Sequence, residues 1–292
     1  MTAVAPLPPV SERRFQLDGL VLAAQHFGQR DWPFLLALHG WLDNSESFRP
    51  LAQALAPHEI GVLALEWAGH GHSEHRGSGT DYHFLDNLYE LDQVLTQLER
   101  PPVALLGHSM GGILAALYAG TYPERVPRLI CIEALGPLVA EPGQTVANLR
   151  AGFASRQRSA SSRPLDRATL VRARQAGSGL SSELVETLLE RNLTEHEGQL
   201  SWRSDPRLRR RSAWRMTEAQ GRAVITAIEA PTQLLLAEQG LPTLRSGLSQ
   251  RQTWFQQAEV TWLPGAHHCH MTHPEEVAQA VTDFIGRPMG LS

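Results

Sequence analysis

The sequence predicts an α/β protein built on a mostly parallel sheet of about eight strands, and three observations carry that prediction. Short apolar runs alternate with helical apolar patterns along most of the chain, as strands joined by right-handed crossovers require. One run, Val103 to Leu106, passes through Gly107-His108-Ser109-Met110-Gly111 straight into the alanine- and leucine-rich stretch Gly112 to Tyr118. At 292 residues and 42% hydrophobic, the chain is long enough to bury one large core and to carry an inserted segment.

The elements follow in order. After a proline-rich lead, Arg14 to Leu17 and Leu20 to Phe27 flank Asp18-Gly19, a pair that favours a tight hairpin turn, so the chain opens on an antiparallel edge. Phe34 to Leu38 reads as a buried strand running into His39-Gly40-Trp41-Leu42-Asp43-Asn44, a loop that opens a helix near Phe48. Ile60 to Glu66 is the next strand, and the glycines of Trp67-Ala68-Gly69-His70-Gly71-His72-Ser73 mark a tight loop after it. Helical spacing then links Phe84, Leu88, Leu91, Val94 and Leu98. The serine-bearing strand and helix come next, and Val126 to Glu133 gives a further strand.

Composition changes near Gly136-Pro137. Residues 137–221 hold helical patterns such as Leu184 to Leu193, a serine-rich piece at Ser159 to Ser162 and the cluster Arg207, Arg209, Arg210 and Arg211, without a convincing buried strand. We expect a helical cap there, inserted between core segments 1–136 and 222–292, with its arginines solvated or held in internal ion pairs. Strand patterns resume at Pro231 to Ala237 and Val260 to Leu263, with a helix near Leu244 to Phe255 between them. The histidine-rich loop from Pro264 to His273 leads into an amphipathic helix, Glu275 to Ile285.

A glycine-flanked serine between a buried strand and a helix forces a sharp turn and leaves a strained hydroxyl exposed, so Ser109 is a candidate nucleophile as well as a possible N-cap. A serine nucleophile needs a base. Among the histidines after the final strand, His267 comes first after Gly265-Ala266 and is the best candidate, with His268 next; His270 and His273 read as packing or surface residues.

Four segments together, His39 to Asn44, Gly69-His70-Gly71-His72-Ser73, Gly107 to Gly111 and Gly265-Ala266-His267, resemble the α/β-hydrolases that carry a cap, and most of all the serine hydrolase-like proteins of that superfamily. They span nearly the whole chain in the family order, which is far more specific than any one motif. The resemblance implies the α/β-hydrolase fold, a triad in the order serine, acid, histidine, and an oxyanion hole formed by the backbone N–H groups of Trp41 and Met110. The Trp41 side chain would pack in the core or line the acyl pocket. Family members usually place the acid just after the strand that follows the cap, but Ala237-Glu238-Gln239-Gly240 puts a glycine there. A minority, including haloalkane dehalogenase-like members, places it at the end of the strand after the elbow, where this chain has Glu133. We therefore expect Glu133 as the acid, with Glu238 as the alternative.

The implied activity is hydrolysis of a small carboxylic ester or related acyl substrate through an acyl-enzyme, without cofactor or metal. Two other readings stay open: a ligand-binding or receptor-like member with little turnover, and a metal-dependent hydrolase. The second rests on His70-Gly71-His72-Ser73-Glu74-His75, similar to the H-x-H-x-D-H cluster of metallo-β-lactamase-like hydrolases, although these residues also fit the loop after the fourth strand. A carboxylate-nucleophile mechanism is disfavoured by serine at the elbow. With 26 basic against 30 acidic residues, the net charge of -4 argues against a nucleic-acid footprint or an anionic membrane surface and for a small-molecule partner. Two cysteines, Cys131 and Cys269, do not suggest a disulfide framework. The first nine residues lack a signal-like pattern and no run approaches about eighteen apolar residues, so we expect a cytoplasmic monomer or homodimer.

Overall fold

The computed structural model describes residues 6–157 and 165–287. Eight strands form one sheet: β1 (Val10–Leu17), β2 (Leu20–Phe27), β3 (Phe34–Leu38), β4 (Gly61–Leu65), β5 (Ala104–His108), β6 (Leu129–Ile132), and, beyond an insertion, β9 (Thr232–Gln239) and β10 (Ala258–Ala266). Their spatial order is β1-β2-β4-β3-β5-β6-β9-β10. β1 pairs antiparallel with β2 across the Asp18-Gly19 turn and β2 antiparallel with β4, while every other neighbour is parallel. This is the α/β-hydrolase fold expected from the motifs. β1 starts at Val10, ahead of the expected Arg14, because Ser11, Glu12 and Arg13 pair through their backbones with β2 on an edge that needs no apolar pattern.

Helices cover both faces, so the central strands are apolar on both sides. On one face Leu36 and Leu38 pack with Leu91 of α2 (Asp86–Thr96), Leu114 of α3 (Met110–Thr121) and Ile225 of α7 (Glu218–Thr226). On the other, Leu35 and Ala37 pack with Leu51 of α1 (Arg49–Leu55) and Val277 and Val281 of α8 (Pro274–Ile285). The alternation along β3 is the two-residue period of a strand buried on both faces. Catalytic-type loops therefore gather at the carboxyl ends of the parallel strands, as such sheets dictate.

Between β6 and β9 run α4 (Thr145–Arg156), α5 (Arg167–Ser178), α6 (Ser182–Asn192), the hairpin β7 (Leu193–His196) and β8 (Gln199–Trp202), and then α7. Asp166 caps α5 by accepting from Thr169 N–H, and Ser181 caps α6 by accepting from Leu184 N–H. The hairpin was not legible as strand because only Leu193 in it is buried; its turn, Glu197-Gly198, has positive φ at both residues, the type I′ geometry that suits hairpins. The expected boundary at 221/222 falls inside α7, which packs on α3. Val171, Leu180, Val185, Leu188 and Leu189 make a separate apolar cluster with Met271 of the core. Arg191 of α6 reaches down to the fully buried Glu66 with a bidentate pair at 2.7 and 2.9 Å, and also meets Glu12. Of the arginine cluster, Arg207 binds Asp205, Arg210 binds Asp81 and Arg209 lies over Trp202. The Ser159 to Ser162 piece lies outside the described residues.

Candidate active site

Ser109 joins β5 to α3 with φ 52° and ψ -116°, a conformation that L side chains rarely adopt. Close packing makes the turn possible: a Cβ on Gly111 would strike the Leu38 backbone, and one on Gly107 the Gly111 backbone. Ser109 N–H donates to Ile132 O at 2.9 Å and Ser109 O accepts from Ile113 N–H at 3.0 Å. The serine backbone is thereby held by both the neighbouring strand and the helix.

His267 follows β10. Its Nε2 lies 3.0 Å from Ser109 Oγ and its Nδ1 lies 3.2 Å from Glu133 Oε2. An ionised carboxylate only accepts, so the network assigns the ring proton to Nδ1, leaving Nε2 to accept from the serine hydroxyl. The structure thus brings Ser109, His267 and Glu133 into one line. That arrangement can take a proton from the serine and stabilise the imidazolium that results.

Glu133 stands just beyond β6, also at φ 52°, with a side chain 1% exposed. Burial works strongly against its charge, yet hydrogen bonds from His267, from Ala237 N–H at 2.8 Å and from Leu241 N–H at 3.0 Å outweigh it and hold the carboxyl below the usual range. Gly240 explains the space: a Cβ there would press into this carboxylate. Glu238 is exposed and makes no side-chain hydrogen bond to His267 among the described residues, so the structure does not bring it to the site.

The backbone N–H groups of Trp41 and Met110 have no acceptor among the described residues. The Trp41 side chain is 53% exposed and donates its indole N–H to Leu208 O at 3.0 Å, so it bridges to the insertion and does not pack in the core. Leu42, at φ 61°, donates its N–H to His70 Nε2 at 3.2 Å, while His70 Nδ1 faces Ala68 O at 3.2 Å. Burial pushes His70 down to about 3, keeping it neutral and able to accept from that loop.

The metal alternative through His70, His72 and His75 is corrected by these contacts. His70 accepts from the Leu42 backbone N–H in the loop after β3, and exposed His75 faces Arg203 O at 2.6 Å. Among the described residues these three imidazoles do not converge; the group that does is Asp43, His108 and His268. Sequence reading missed that group, although Asp43 lies in the loop after β3 and His268 directly follows His267. Arg174 of α5, also missed, pairs with Asp43.

One turn along α3 from Ser109, Ile113 opens a cleft of about 130 Å³ shared with Leu117, Leu138, Trp214 and Met216. Its walls come from Phe84 and Leu85 before α2, from α3, from the chain leaving β6 and from the segment before α7. Cys131 and Cys269 are free and buried. No helix among the described residues is long and apolar enough to cross a membrane.

Residues 33–274 match the family model described as alpha/beta hydrolase fold. The chain is 31% identical to a serine hydrolase-like protein of Danio rerio, over 94% of this chain and 88% of that one. It superposes with a TM-score of 0.85 on a hypothetical protein from Pseudomonas aeruginosa PAO1, at 36% identity and covering 94% of this chain and 99% of the other. A thioesterase domain from the curacin biosynthetic pathway aligns with a TM-score of 0.84 at 25% identity, covering 94% and 99% of the two chains.

Proposed function

We propose, since this chain belongs to the alpha/beta hydrolase fold family, that it is a serine hydrolase that cleaves an ester or thioester bearing an apolar acyl or alcohol group. The single observation that supports this best is the continuous line from Ser109 Oγ through His267 to Glu133, 3.0 and 3.2 Å per step. In this reading His267 Nε2 removes the Ser109 proton as Oγ attacks the substrate carbonyl. The backbone N–H groups of Trp41 and Met110 receive the developing oxyanion, each donor contributing about 2.7–4 kcal/mol. His267 then gives the proton to the leaving oxygen or sulfur, and a water molecule, deprotonated by the same ring, releases the acid. Glu133 keeps the Nδ1–H tautomer and stabilises the imidazolium.

The apolar cleft beside Ile113 supports an apolar substrate group, and the similarity to a thioesterase domain and to a serine hydrolase-like protein supports acyl transfer. Residues 137–221 act in this reading as a cap that supplies Trp214 and Met216 to the cleft wall. A fluorophosphonate probe is expected to label the wild type and to leave Ser109→Ala unlabelled, with turnover of short- and medium-chain p-nitrophenyl esters lost in parallel. A wild type that neither labels nor hydrolyses any of these esters ends the proposal.

A further inference from the structure

Two further imidazoles face one buried carboxylate. Asp43, from the loop after β3, His108, the last residue of β5, and His268 are 1%, 0% and 8% exposed. Asp43 Oδ2 stands 3.7 Å from His108 Nδ1 and 3.4 Å from His268 Nε2, and one donor atom from each residue lies within 4.8 Å of the others. A tetrahedral zinc ion with bonds of about 2.0–2.2 Å holds neighbouring donor atoms about 3.3–3.6 Å apart. Both measured edges are at or near that spacing.

Hydrogen bonding assigns the His108 tautomer. Its Nε2 is 2.8 Å from the His267 carbonyl oxygen, which only accepts, so the ring proton sits on Nε2. Nδ1 therefore carries a lone pair; it is buried, has no hydrogen-bond partner among the described residues, and stands against a carboxylate oxygen. Two electron-rich atoms facing each other in a buried site are reconciled by a cation between them. An imidazole whose second nitrogen donates to a carbonyl is also the arrangement that orients metal-bound histidines. Gly40 keeps the space open, since a Cβ there would come within 3.0 Å of His108 Nδ1 and 3.1 Å of Asp43 Oδ2. Arg174 occupies the other carboxylate oxygen, Oδ1, and leaves Oδ2 to the histidines.

We propose that Asp43 Oδ2, His108 Nδ1 and His268 Nε2 form a site for one transition-metal dication of the zinc class, whose binding restrains the proposed serine and base. His108 is the chain neighbour of Ser109, and His268 of His267. An ion that ties both imidazoles to Asp43 holds the backbone beside the nucleophile and the base and slows attack, a consequence that rests on the serine-hydrolase reading, whereas the site itself does not.

The test titrates chelator-treated protein with cobalt(II) and follows visible absorption. One equivalent is expected to give the intense bands of a four-coordinate ion, to be displaced by zinc, and to raise the thermal midpoint. His268→Gln and Asp43→Asn are each expected to weaken cobalt binding at least about tenfold, and His267→Ala to leave it unchanged. Absence of a stoichiometric band in the wild type overturns the site, without requiring that any variant fold. A band that survives His268→Gln but vanishes in His267→Ala overturns it too, because the ion would then sit on the proposed triad. Fluorophosphonate labelling of the metal-free wild type reports separately on the serine; a labelling rate unchanged by saturating zinc overturns the proposed restraint.

Discussion

β6 and β9 are neighbours in the sheet, paired in parallel at Ile132 and Leu235, yet they end in opposite ways. The first is followed by Glu133, a buried carboxylate on a left-handed backbone; the second runs out through exposed Glu238 to Gly240, whose missing side chain is the space the Glu133 carboxylate fills. Adjacent strands lie about 4.8 Å apart, so a glutamate on one reaches the volume that a shorter acid on the other would occupy. In the proposed triad the carboxylate at His267 Nδ1 comes from the end of β6, and the glycine at the end of the neighbouring strand leaves it room.

The largest effect expected from this contrast is that of Glu133→Gln. A neutral amide at Nδ1 permits the wrong ring tautomer, and kcat on a p-nitrophenyl ester should fall by about 10³–10⁴-fold, with KM far less affected. Gly240→Ala should follow, because its methyl displaces the carboxylate from His267 without removing it; a loss of about 10–100-fold in kcat is expected from a misplacement of that kind. A smaller effect concerns stability. The native Glu133 carboxyl is held below the range of an unfolded glutamate, so its contribution is present above about pH 4.5 and is lost as pH falls through the lower native value. Thermal midpoints measured from pH 6 to 3 should therefore fall less steeply in Glu133→Gln than in the wild type. Glu238→Gln should change neither activity nor that slope, staying within about twofold in kcat, as befits an exposed side chain. Equal losses in Glu133→Gln and Glu238→Gln would break the contrast between the two strand ends.

The sheet was legible because its central strands are apolar on both faces and their ends carry glycine-rich loops, signals confined to a few consecutive residues. Ser109 and His267 were readable for the same reason, each standing at the end of a strand beside small residues. Glu133 was readable only through the resemblance: a glycine stands where most members would carry the acid, and Glu133 stands where a minority place it. Convergence of Asp43, His108 and His268 was not, because it joins three strand ends whose order in space, β3 beside β5 and β10 at the far edge, is set by topology and not by spacing along the chain. The hairpin β7–β8 escaped because Leu193 is its only buried residue, and the Arg191–Glu66 pair because charge complementarity between remote segments leaves no local pattern.

Ser109 and Glu133 share φ 52°, two non-glycine residues in a disfavoured backbone region on adjacent strand ends. Each such residue costs about 1–3 kcal/mol, a strain that the surrounding strands must over-determine. Selection for heat resistance alone would favour glycine at 109 and glycine or asparagine at 133, and would erase the proposed nucleophile and its proposed acid together. The chain therefore keeps a local stability deficit where its chemistry is proposed. Thermostabilising substitutions belong elsewhere in the molecule, since a gain at these two positions exchanges function for robustness.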